Sequence, residues 1–192
     1  IAMDAALGWV PLTADSSNLR FKGGALEVTA TSTLNANRGV VLDTAGGTIN
    51  TTVGATFSVA GAITGVGGLT KDGAGTLSLG NTANTYTGVT TVIDGVLEGS
   101  ADDTLAANSR HIVDGGTLNA GNFSQVVGSL HSTTALGAVA WGSNTLQVGN
   151  DHTLDGNYAG LITGGGVLEK IGIGAQTISG VGNGAEAWTT LI

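Results

Sequence analysis

Three histidines, His111, His131 and His152, stand about twenty residues apart. In a chain coiling with that period they would stack, and stacked imidazoles can hold a metal. Their flanks, Ile112-Val113, Leu130 and Thr153-Leu154, do not put them in one register. Exposed turn or loop positions are expected, and no metal site. The carboxylates offer lyase or calcium chemistry, which needs clustered acids and, for a lyase, a basic Arg or Lys. Asp102-Asp103 is the one adjacent acid pair, with Arg110 downstream. Asp94 and Asp114 each precede a glycine, the setting of a turn. Asp72 in Gly67-Gly68-Leu69-Thr70-Lys71-Asp72 lacks the third glycine of a calcium nonapeptide. Ser16, Ser17, Ser100 and Ser109 have no nucleophile-elbow context. No catalytic, cofactor-binding or metal residue is assigned, the ligand-binding residues are unknown, and no enzyme activity is expected.

Lys71 and Lys170 recur in equivalent surroundings. A ladder of ligand contacts is one reading; a turn lysine whose stem covers the neighbouring rung is preferred. Trp9 and Trp188 lie near the chain ends, where a solenoid needs cover, and Trp141 leaves room for sugar binding. Thr29-Ala30-Thr31-Ser32-Thr33 and Thr85-Tyr86-Thr87 have the alternation of an ice-binding ladder, but this alternation does not return in every repeat.

Whatever these residues do, a β scaffold must carry them. Of 192 residues, 34 are Gly, 27 are Thr, one is Pro and none is Cys. Val and Thr favour strands, and glycine favours turns over helices. Charged residues make up only 10%, and the net charge is −8. Disulfide scaffolds and Cys-based zinc sites are excluded, collagen lacks its period, and an acidic chain poor in aromatics argues against nucleic acid. With 41% hydrophobic residues the chain is not expected to be disordered. Apolar residues come in pairs and triplets, so no membrane insertion by this segment is expected. Residue 1 is Ile with no basic leader before an apolar stretch, so any export signal would lie upstream.

Small residues lead repeatedly into an apolar one, at Leu26, Ile49, Leu69, Leu97, Leu118, Leu146 and Leu168. Most of these positions follow one another at a nearly constant period, slightly above twenty. Two longer steps, Leu69 to Leu97 and Leu118 to Leu146, leave room for bulging loops. A longer echo links Ile63–Gly75 with Ile162–Gly174, about five units further on. Between glycines lie short alternating runs such as Thr76-Leu77-Ser78-Leu79. The period predicts an all-β, right-handed parallel β-helix (a solenoid) of about nine rungs, with Leu69, Leu77, Leu79 and Leu97 sharing one core. Few phenylalanines are expected in so narrow a bore. Residues 1–22 are expected as an N-terminal edge or cap and 23–192 as the repeat domain. The terminal run Ala187–Ile192 has no polar cap.

The run Gly67-Gly68-Leu69-Thr70-Lys71-Asp72-Gly73-Ala74-Gly75-Thr76-Leu77-Ser78-Leu79, then Asn84-Thr85-Tyr86-Thr87-Gly88-Val89-Thr90-Thr91-Val92 and Gly95-Val96-Leu97, resembles a known unit. It is similar to the passenger-associated transport repeat, or autotransporter-associated β-strand repeat, of Gram-negative autotransporter passengers. The resemblance reaches from about residue 38 to 182. Its second copy departs after Lys170, where Gln176-Thr177-Ile178 stands for the T-L-x-L strand. It implies a secreted or cell-surface passenger on the exterior of the outer membrane, exported through a C-terminal β-barrel outside this chain. It further implies surface adhesion or self-association, as a stalk or presenting scaffold, with a host or surface glycan or protein as partner. Alternatives are a polysaccharide-acting β-helix enzyme, or an inert spacer serving export and folding.

Overall fold

The computed structural model describes residues 1–151 and 153–180. Its strands are three to five residues long with few exceptions, because a glycine or polar turn interrupts each apolar alternation. Every ladder is parallel. Each strand pairs with the strand one coil away, from His111↔Leu130 at the closest spacing in sequence to Ser32↔Phe57 at the widest. The result is a parallel β-solenoid of about eight turns. Among the described residues there is one 3-10 turn, Asp4–Leu7, and no α-helix.

Three faces enclose the bore. One is a seven-stranded sheet: Ser32–Leu34, Thr56–Val59, Thr76–Leu79, Val96–Gly99, Thr117–Asn119, Ala138–Ala140 and Leu161–Thr163. Another is six-stranded: Ala25–Val28, Gly47–Thr51, Leu69–Asp72, Thr90–Val92, His111–Val113 and Leu130–His131. The third begins with Asp15–Phe21, Arg38–Leu42 and Ile63–Gly65 and resumes at Gln125–Val127, Thr145–Val148 and Val167–Lys170. Gly156–Tyr158 pairs with Gln176–Ile178 beyond the six-stranded sheet. Residues 1–22 thus contain a ladder strand, Asp15–Phe21, preceded by a segment tied down through Arg38. That guanidinium is buried, ion-paired to Asp4 at 2.9 Å and bonded to Asn18 Oδ1.

Inward residues stack from coil to coil. Phe57, Leu77, Leu97, Leu118, Val139 and Ile162 form one column. Leu69, Leu77, Leu79 and Leu97 are fully buried in one core, as the alternation predicts. Each such side chain contributes ~1.5–3 kcal/mol relative to exposure. The bore is wider than expected, however, since Phe21, Phe57, Tyr86, Trp141 and Tyr158 all lie inside it. Glycine corners and small neighbours give these rings their room.

The two longer steps of the small-to-apolar pattern are not bulging loops. Leu69 belongs to the six-stranded sheet and Leu97 to the seven-stranded one; Leu118 and Leu146 likewise lie on different faces. The signature marks any corner entering a strand, whichever face follows. The long echo shows the same thing. Ile63 and Leu69 join the third face to the six-stranded sheet, whereas Ile162 and Leu168 join the seven-stranded sheet to the third face. What recurs is a corner, one face out of phase.

Candidate functional surface

The repeat residues that looked able to do chemistry turn inward. Lys71 and Lys170 point toward the bore, paired at Cα with Val92 and Val148. Lys71 Nζ donates to the carbonyl oxygens of Asp72, Gly73 and Asp94. Lys170 Nζ donates to those of Ile171 and Gly172, one and two residues on, as in Lys71. Each ammonium therefore satisfies a corner that has no strand partner. Burial lowers the Lys71 pKa to about 8, partly countered by Asp94 and Asp72.

Asn84 Oδ1 accepts from Ile63 N–H at 2.8 Å and its Nδ2 donates to Thr104 O at 2.7 Å, so one amide ties three coils together. It does so where the third face has no regular strand. Gln125 serves the next gap, with Oε1 accepting from Thr104 and Leu105 N–H. Gln176 repeats the device on Leu130. Tyr86 OH, Thr90 Oγ1 and Ser109 Oγ form a buried chain at 2.7 Å per link, ending on Gly88 O. At Gly88 a Cβ would run into the Gly67 and Gly68 backbone. Asn84, Tyr86, Gly88 and Thr90 of the N-T-Y-x-G-x-T segment are therefore architecture, whereas the Thr85 side chain is exposed.

The remaining candidates separate. His111 is fully buried rather than in an exposed turn; its Nδ1 donates to Ser109 O at 2.8 Å and Nε2 is unpartnered. Burial lowers its pKa to about 4, with Ser109 and Asp151 opposing. His131 pairs with Ile112, one position out of step with His111, so the two face opposite ways. His152, Trp188 and the run 187–192 lie outside the described residues. Asp102 Oδ1 accepts from Ser124 N–H, whereas Arg110 binds Ser129 Oγ and Asp155 O. Asp94 and Asp72 bind the amide of the glycine that follows each of them, and Asp114 binds Thr133 N–H. Ser109 Oγ bonds Thr90, Gly88 O and Arg110 O, not an imidazole. Trp141 is buried, whereas Trp9 is 98% exposed. No group of three His, Cys, Asp or Glu could hold a metal among the described residues.

What the outer surface offers is a set of polar columns. On the seven-stranded sheet, Thr33, Ser58, Ser78, Glu98, Asn119, Ala140 and Thr163 are successive partners. On the six-stranded sheet Thr48, Thr70 and Thr91 stack, followed by Ile112 and His131. The sequence held this signal, since these threonines recur once per coil. A search for local Thr-x-Thr pairs misses it, because a solenoid face is read across coils.

Residues 69–98 match the family model described as Passenger-associated-transport-repeat. The Adhesin BmaC autotransporter of Brucella suis biovar 1 (strain 1330) is 36% identical over 204 residues, covering 94% of this chain and 6% of that protein. No solved structure matches the chain. The matched repeat is the stretch in which Leu69, Lys71, Leu77, Asn84, Tyr86, Gly88 and Leu97 build the coils. The chain is a β-solenoid that carries a passenger-associated transport repeat and is similar over nearly its whole length to a small part of an autotransporter adhesin, a likeness that implies a secreted or cell-surface location.

Proposed function

We propose that this segment is an adhesive stalk, a rod whose outward sheet faces make the contacts of a surface adhesin. One observation supports this most. The repeat's reactive-looking side chains are spent on the interior, and the outward columns carry hydroxyl, amide and few charged groups. Such a face binds through many weak hydrogen bonds, which suits a partner of extended, repetitive chemistry. The relative's name as an adhesin points the same way. The role proposed is non-enzymatic, in keeping with the relative's name as an adhesin. Export would use a translocator barrel in another part of the protein. Beads carrying the folded segment are the test. Adherence to epithelial or glycan-coated surfaces supports the reading. Clumping of beads with one another assigns the face to self-association, and inert beads reduce the segment to a spacer.

A further inference from the structure

We infer that the seven-stranded face carries a binding trough for a neutral, hydroxyl-rich oligosaccharide, centred on Ala140; the inference rests on the adhesive reading above. Glu98, Asn119, Ala140 and Thr163 are consecutive members of one outward column. At the strand spacing of ~4.8 Å, three steps make a line ~14 Å long, parallel to the rod axis. The methyl of Ala140 leaves a step between the longer side chains on either side. The adjoining corner is glycine in three successive coils: Gly121, Gly142 and Gly164, all with positive φ. A Cβ on Gly142 would stand 2.5 Å from Gly121 O and 2.9 Å from Asn122 Oδ1, so the corner stays glycine with the Asn122 amide beside it. The product is an open polar depression of about 460 Å³.

Two features decide its ligand. First, the lining is hydrogen-bonding rather than apolar: Glu98, Asn119, Asn122 and Thr163 supply carboxylate, amide and hydroxyl groups. Asn119 Oδ1 already accepts from Gly121 N–H, so its amide offers NH2 donors, whereas Glu98 offers acceptors. Alternating donors and acceptors match vicinal hydroxyls. Second, no lining group is cationic, and one is a carboxylate, which excludes phosphate, sulfate and uronate ligands by like charge.

The experiment titrates the whole 192-residue chain with cellotriose, chitotriose and trigalacturonate, followed by NMR shifts and calorimetry. The result expected is binding of a neutral trisaccharide, with shifts at Asn119, Asn122, Ala140 and Thr163. Trigalacturonate should bind at least roughly tenfold more weakly. Ala140→Phe, which fills the trough from outside the core, should abolish binding with the melting temperature unchanged. If that variant does not fold, Glu98→Gln decides: it should narrow the discrimination against trigalacturonate. No neutral sugar bound, equal binding of the uronate, or binding undiminished by Ala140→Phe would overturn the inference. Bead adherence is scored in parallel: adherence without sugar binding removes only the trough, and inert beads remove the adhesive reading itself.

Discussion

His111 supplies a pH-dependent test of the interior. Its ring stacks between Thr90 and Leu130, with the Nδ1 proton held by Ser109 O and Nε2 facing no partner. Protonation would put a charge and an unpaired N–H into the bore. The folded pKa is lowered to about 4 against the ordinary 6.5. Between these values the unfolded chain binds a proton that the folded chain refuses, so stability falls as pH drops from 6.5 toward 4. At ~1.36 kcal/mol per unit, the loss approaches ~3 kcal/mol below pH 4, with ~2 kcal/mol already lost at pH 5. Carboxylates titrate over the lower part of the same range, so the comparison is with His111→Leu, whose side chain matches the Leu69 and Leu130 of its column. Urea unfolding of both proteins at pH 7, 6, 5 and 4.5 gives the difference. The parent should lose ~2 kcal/mol relative to the variant between pH 7 and 5. A constant difference across that range would mean that His111 is hydrated, and would refute the packed bore at this coil.

Three further outcomes follow from the interior. Gly88→Ala drives a Cβ into the Gly67–Gly68 backbone and should cost more than ~2 kcal/mol, whereas Gly165→Ala, with open space around it, should be neutral within ~0.5 kcal/mol; denaturant midpoints compare the two. Leu79→Asp buries an unpaired carboxylate and should lower stability by several kcal/mol; a melting temperature within a degree or two of the parent would remove Leu79 from the core. Lys71 gives up its proton near pH 8 when folded and near 10.5 when unfolded, so the unfolded chain binds more protons in that window. The parent should therefore gain stability relative to Lys71→Met from pH 8 to 10.5, and a flat difference would show that the ammonium reaches water.

Period and alternation in the sequence carried the parallel solenoid and its Leu69, Leu77, Leu79 and Leu97 core, because stacking in register repeats the same side-chain demand every coil. Face assignment was not legible. Gly67-Gly68-Leu69 and Gly165-Gly166-Val167-Leu168 look alike because a corner needs the same small residues before any strand. Only the coil-to-coil register separates the faces. Buried polar groups were also hidden. Asn84, Gln125 and Lys71 are exposed by default expectation, yet each is drawn inside by backbone groups left unpaired where a strand is missing. The outward surface was the least legible part, because Asn119, Ala140 and Thr163 become neighbours only after coiling.

The central claim is that the repeat residues build the rod and the outward columns meet the partner. A bead-adherence assay on a triple variant, Ser58→Lys, Asn119→Lys and Thr163→Lys, tests it most directly, with circular dichroism and melting run alongside. All three residues sit in the outward column of the seven-stranded sheet. The account predicts an unchanged β spectrum and melting temperature with adherence lost. Adherence at the parent's level on a folded variant would contradict it, and would move the contact surface away from this face.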